Sequence, residues 1–131
     1  MNEREKMIQR LDAERSLLGL VLIDPVHAPL LRRVRADEWQ IVNHAKIAAC
    51  IVRLVDMNDH RQSRLLMKPS ASVALRRRLR PESIDLVSVC QWLGDDLVRI
   101  GPAYVASLVD GVPDGIDPSY LIATIIRGDH G

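Results

Sequence analysis

Ala13-Glu14-Arg15-Ser16-Leu17-Leu18-Gly19-Leu20-Val21-Leu22 decides the fold class of this 131-residue chain. Leu17, Leu18, Val21 and Leu22 recur at the three- and four-residue spacing of one helix face, not at the alternation of a strand. Asp12 stands just ahead as the expected N-cap, its carboxylate placed to accept from first-turn N–H groups. Gly19 interrupts the stripe, where a glycine costs roughly 0.5–1 kcal/mol against alanine. Close approach of a second helix is the expected reason, since only hydrogen fits there.

The same logic extends in both directions. Met1 to Arg10 alternates charges and reads as a frayed or short helical leader, leaving 11–131 as the domain. Asp24-Pro25 pairs an N-cap with proline at the first helical position, and Val26, Leu30, Leu31 and Val34 form that helix's expected buried stripe. Asn43 is the next expected cap, ahead of Ile47, Cys50, Ile51, Leu54 and Val55, a pattern that gives out near Met57-Asn58. Asp59 to Pro81 is irregular, with Ser70 or Ser72 able to cap a short helix carrying Val73, Leu75 and Leu79. Asp85 caps a helix bearing Leu86, Val89, Cys90 and Leu93. Gly101-Pro102 opens another, with Tyr104, Val105, Leu108 and Val109, and Gly111 to Gly115 is a turn. Asp117-Pro118 begins the last helix, with Leu121, Ile122, Ile125 and Ile126 inward and Gly128 as its stop. The expected fold is all-α.

Composition agrees. Hydrophobic residues at 47% and charged residues at 27% describe an ordinary globule with enough length for a real core. Phe is absent, and Trp and Tyr number two each, so the core is aliphatic, as helix packing permits. The same scarcity argues against a surface that stacks single-stranded bases on aromatic rings. Cys50 and Cys90 lack any ligand spacing and read as buried free thiols, with a disulfide as the alternative. Neither a signal peptide nor an apolar run of ~20 residues is apparent, so a soluble cytoplasmic protein with no membrane partner is expected.

The net charge of +1 conceals a division. Arg61, Arg64, Lys68, Arg76, Arg77, Arg78 and Arg80 lie in a stretch without one acidic residue, leaving 11 basic against 17 acidic residues elsewhere, a net of −6. This basic insert has three readings: a solvated loop, a docking arm for an acidic protein surface, or a nucleic-acid contact. Leu65-Leu66-Met67 within it suggests that part of the insert packs on something.

Reactive constellations are scarce. None of the seven glycines is followed by Lys, so no phosphate loop of the Gly-Lys-Ser/Thr type exists. His27, His44, His60 and His130 are scattered without metal-ligand spacing. Asp95-Asp96 is adjacent on a helix, where neighbouring side chains diverge. Trp39 reads as a core anchor, with a partner-docking hot spot as its alternative. His44 reads as bonding a nearby backbone group and fixing the turn after Trp39. The chain is expected to have no catalytic, cofactor or metal residue.

Four pieces stand in a fixed order: Ala13 to Gly19; Asp37-Glu38-Trp39 with His44 and Ile47; Ile84 to Val89 ahead of Leu93; and Ile100 to Tyr104 with Leu108, Val112-Pro113 and Tyr120. Together they resemble the N-terminal head domain of the bacterial replicative DNA helicase of the DnaB type, over roughly residues 11 to 127. The resemblance implies a compact bundle of about six short helices, with the basic insert of about 59–81 between the third and fourth core helices. It implies structural roles for Ala13, Glu14, Ser16, Leu18, Gly19, Trp39, His44, Asp85, Gly101, Tyr104, Pro113 and Tyr120. Pro102 departs from it, since the family usually has a second Gly there. The function implied is non-catalytic assembly in DNA replication, through contacts with helicase subunits, primase or a helicase loader in the primosome. ATP and Mg²⁺ would belong to a separate downstream domain that this chain does not contain. The family's long helical hairpin would begin near Gly131, so a monomer or weak dimer is expected. The alternative is a stand-alone regulatory or nucleic-acid-binding protein that uses the Arg-rich insert, with weak non-specific DNA contact.

Overall fold

A computed structural model describes residues 2–67, 72–78 and 81–127. Helices are the regular elements among the described residues, with no strand among them. Helix α1 spans Glu3–Ile23, followed by a 3₁₀ segment at Pro25–Arg33 and a single 3₁₀ turn at Ala36–Glu38. Helix α2 then covers Val42–Met67, α3 Val73–Arg78, α4 Leu86–Leu93, α5 Asp95–Ile100, α6 Pro102–Ser107 and α7 Pro118–Arg127. The central pairing is α1 against α7, with α2 packed on the 3₁₀ segment on one side and on α4 on the other.

The leader does not exist as a separate piece. Helix α1 starts at Glu3, capped by Asn2, whose Oδ1 accepts from Glu5 N at 2.8 Å. Glu3 and Glu5 in the first turn suit the positive end of the helix dipole, and no Gly or Pro stands before Asp12 to interrupt it. Asp12 is therefore mid-helix and exposed, not a cap.

The second predicted helix forms as 3₁₀. Pro25 suits its start, but Pro29 inside it lacks an N–H and crowds the preceding turn, so regular i→i−4 bonding is not sustained. The tighter winding rotates the stripe. Leu31 and Val34 stay buried, Ala28 joins them, and Val26 turns outward at 72% exposure. Asp24 contributes no side-chain cap.

Asn43 is not a cap either. Helix α2 begins at Val42, and its first bond runs from Ala45 N to Ile41 O. The helix also continues nine residues past Asn58. Nothing from Asp59 to Met67 breaks it, and Arg, Gln, Leu and Met are good helix formers. The front of the basic insert is thus an extension of α2. Asp85, Asp117 and Ser72 do act as N-terminal acceptors, from Ser88 N, Ser119 N and Leu75 N respectively. Ser70, Leu79 and Gly128 lie outside the described residues.

The core is aliphatic. Leu17, Leu18, Val21, Leu31, Ile47, Ile51, Leu54, Val89, Val105 and Ile125 are fully buried, and Trp39 is the one buried aromatic hydrophobe among the described residues. Leu86, Cys90 and Ile126 sit half-buried at its margin. Cys50 and Cys90 are free thiols; Cys50 lies against the Val89 carbonyl, and burial pushes its ionisation upward. No helix of the described residues is long and apolar enough to cross a membrane.

Gly19 has the expected reason. A Cβ there would fall on the Leu108 carbonyl oxygen and 2.6 Å from Val112 Cγ2, where α6 ends and the following turn begins. Backbone cannot move aside as a flexible side-chain tip can. Gly19→Ala is therefore expected to cost about 3 kcal/mol by forced overpacking, lowering the thermal midpoint by roughly 10 °C. Thermal unfolding followed by helical circular dichroism checks this; an unchanged midpoint contradicts the close approach.

Candidate functional site

Glu14 follows Ala13 and precedes Leu17 and Leu18 on the buried face of α1, so its carboxylate enters the core with 0% exposure. A buried carboxylate requires hydrogen-bond partners, because losing water otherwise costs several kcal/mol. It has three. Gln40 N donates to Oε2 at 2.6 Å, Ile41 N donates to Oε1 at 3.3 Å, and His44 Nδ1 lies 2.8 Å from Oε1. The other ring nitrogen, His44 Nε2, lies 2.5 Å from the Tyr104 hydroxyl. With the carboxylate accepting throughout, the consistent assignment has Nδ1–H donating to Glu14 and Tyr104 O–H donating to Nε2. The His44 and Tyr104 rings are within 18° of coplanar with centroids 5.9 Å apart, which places them end to end rather than face to face.

One turn earlier, Arg10 donates through Nη2 to the Glu38 carbonyl. Arg10 and Glu14 are four residues apart on α1 and share a face. The cation holds a carbonyl and the carboxylate holds two N–H groups of the connection into α2. Trp39 lies between those backbone bonds and is buried at 7% exposure. It is a core anchor. His44 does steady this region, but through side chains, not through the backbone group expected of it.

The order carboxylate, imidazole, hydroxyl runs from the core outward. His44 is 1% exposed and Tyr104 closes the chain at its outer end. Burial raises the Tyr104 phenol above its ordinary value, with Arg15 opposing and Glu14 reinforcing the shift. A phenol held protonated is a donor, which matches its bond to His44 Nε2 and ties α6 to α2.

Other motif positions are distributed around it. Ala13 and Leu18 are buried beside Glu14. Ser16 and Pro113 line a cleft of about 290 Å³ with Asp12, Arg15, Ser107, Leu108 and Gly111. Gly101, at φ 94°, sets the sharp entry to α6 that brings Tyr104 inward, and Pro102 occupies the first turn without disturbing it. Asp85 is confined to its cap, and Tyr120 is 63% exposed on α7, so neither joins the buried chain. A second recess of about 390 Å³ lies between the 3₁₀ segment and α2, floored by Leu31, Val34, Trp39, Ala45, Ala48 and Val52.

The basic insert is clasped at its base. Asn58 Nδ2 donates to the Glu82 carbonyl at 2.9 Å, Glu82 N donates to Asn58 Oδ1 at 2.7 Å, and Arg61 reaches the Glu82 carboxylate at 3.4 Å. Beyond the clasp, Arg64 on α2 and Arg76 and Arg77 on α3 are exposed. Lys68, Arg80 and the Arg78 side chain lie outside the described residues. Leu65 is half-buried, whereas Leu66 and Met67 are 73% and 83% exposed. No group of three or more His, Cys, Asp or Glu residues able to hold a metal occurs among the described residues.

Sequence reading missed the pivotal position of Glu14 and the clasp. For Glu14 a signal was present, a carboxylate flanked by three apolar positions of one helix face. Asn58 and Glu82 carry none, because their pairing depends on where two distant backbones meet. In comparison with known proteins, no protein-family model, characterised protein or solved structure matches the chain.

Removing the hydroxyl in Tyr104→Phe leaves His44 Nε2 buried without a partner, at an expected cost of about 1–2 kcal/mol. Glu14→Ala strands two backbone N–H groups and His44 together and is expected to cost more, about 3 kcal/mol or above. Urea unfolding of both variants should show this order. Midpoints equal to that of the unsubstituted protein would mean the chain of bonds carries no stability.

Proposed function

We propose that this chain is a non-catalytic protein-interaction module of the kind that heads DnaB-type replicative helicases. In this reading it acts in DNA replication through helicase subunits, primase or a loader. One observation carries the reading. Glu14, His44 and Tyr104 belong to three separate pieces of the ordered motif series, and they meet in one continuous hydrogen-bond chain. Such convergence is what a shared structural framework requires, and coincidental motif matches would have no reason to touch.

The chemistry supports a binding role over a reactive one. Glu14 and His44 are buried in the core and the half-buried Tyr104 closes the network at its outer end, a placement suited to fixing geometry. The Trp39-floored recess is open and largely apolar, of the kind that accepts a partner's side chain. Small residues at Ala45 and Ala48 leave room in it for such an anchor. ATP and Mg²⁺ have no role in this module itself.

Isothermal titration with the isolated helicase-binding domain of a bacterial primase, and separately with a helicase loader, tests the proposal. Saturable one-to-one binding to either, with a dissociation constant on the order of micromolar (about −8 kcal/mol), is the expected result. Ala49→Trp, at an exposed position that lines the recess from α2, should weaken that binding tenfold or more while the helical spectrum is retained. Absence of binding to both partners, or Mg²⁺-dependent ATP turnover by the purified chain, would overturn the reading.

A further inference from the structure

The arm beyond the Asn58–Glu82 clasp repeats one surface pattern. On distal α2, Arg64 and Met67 are three residues apart and share a helix face; on α3, Val73 and Arg77 are four apart and do the same. Met67 and Val73 are 83% and 68% exposed. Each pair sets a cation beside an uncovered apolar side chain. A solvated arm needs the cations and gains nothing from the apolar residues. Duplex DNA would engage the arginines and leave the apolar residues in water, and the arm has no Phe, Trp or Tyr for stacking bases. The fitting surface is acidic and partly apolar, and made of protein.

The chain itself carries such a surface. From Gly101 to Ile126 there is no Lys or Arg, while Asp110, Asp114 and Asp117 are all exposed around the α6–α7 turn. Beside them Tyr120 is 63% exposed, a ring able to take both an arginine and an apolar neighbour. The adjoining cleft adds Asp12 and Arg15, which offset each other. We propose that the arm of one molecule docks on this acidic turn of a second copy of the same chain.

The pairing is intermolecular because of α2. That helix is unbroken from His44, which bonds Tyr104 at the start of α6, to Met67 at the arm's exposed end. Twenty-three residues of helix span roughly 34 Å at 1.5 Å per residue. The ionic screening length at physiological salt is about 8 Å. The exposed end of α2 therefore stands several screening lengths from the region of its own α6, and a neighbour's turn can satisfy it. The contact is small and charge-rich, so it is weak and salt-labile rather than permanent. This inference does not depend on the helicase reading.

Sedimentation of the whole chain at high protein concentration gives the test. At an ionic strength of roughly 10 mM, where screening extends about 30 Å, the protein is expected to associate reversibly; near 1 M, where it extends about 3 Å, the same sample should be monomeric. Arg64→Glu with Arg77→Glu should abolish association, as should Asp110→Lys with Asp114→Lys, positions chosen because both aspartates are exposed. Mixing the two reversed variants should restore a complex, since each now supplies what the other lacks, and circular dichroism should report intact helix in both. A monomer at every salt concentration would overturn the proposal, as would association untouched by either reversal or reversed variants that fail to pair. Capture of the wild-type arm by duplex DNA in place of a second copy, with binding falling by roughly 0.9 log unit per contacted phosphate for each tenfold rise in salt, would equally overturn it.

Discussion

A charged pair four residues apart on one helix governs this fold. Arg10 and Glu14 hold the backbone that leads into α2, one by a carbonyl and the other by two N–H groups. A connection between helices normally loses its first N–H groups to water or to a side-chain cap within the same segment. Here the acceptor comes from another helix. The same interaction that satisfies the start of α2 also fixes where α2 lies relative to α1. Trp39 is carried into the core as a result, and His44 and Tyr104 extend the constraint to α6. Three helices, α1, α2 and α6, thus take their relative placement from one carboxylate.

That economy has a cost in tolerance. A buried carboxylate stabilises little against a well-packed hydrophobe, but removing one of its partners leaves the rest stranded. The geometry is accordingly specific rather than strong, and its apolar surroundings supply the bulk of the stability. Gly19 imposes a second restriction of the same kind, since α1 and the end of α6 meet backbone to side-chain-free backbone. Both restrictions fall within six residues of sequence, which is why the stretch from Ala13 to Gly19 is so informative.

What was legible in the sequence follows local physics. Caps at Asp85 and Asp117, the turn from Gly111 to Gly115, the aliphatic core and the close approach at Gly19 all depend on a few neighbouring residues and their preferred geometry. The failures share the opposite property. Asp12 and Asn43 are competent caps by type, yet the helices begin elsewhere because Asn2 and the α1 carboxylate satisfy the relevant groups first. Pro29 converts an α pattern to 3₁₀ and turns Val26 outward, an effect of winding that apolar spacing alone does not register. The sequence understates the extent of α2, because its polar far half keeps no apolar stripe once the helix leaves the body.

The clasp between Asn58 and Glu82 gives the excursion a defined gate. Two hydrogen bonds join the outgoing and returning chain at its neck, so the ends of the segment are held together whatever its length. Once a loop's ends are fixed, doubling its length costs only about 0.6 kcal/mol in closure entropy. The body is thereby insulated from changes in the segment it carries. Evolution could lengthen, shorten or recharge that segment without renegotiating the core, and an engineer could splice a foreign peptide between the same two residues, treating the neck as a socket.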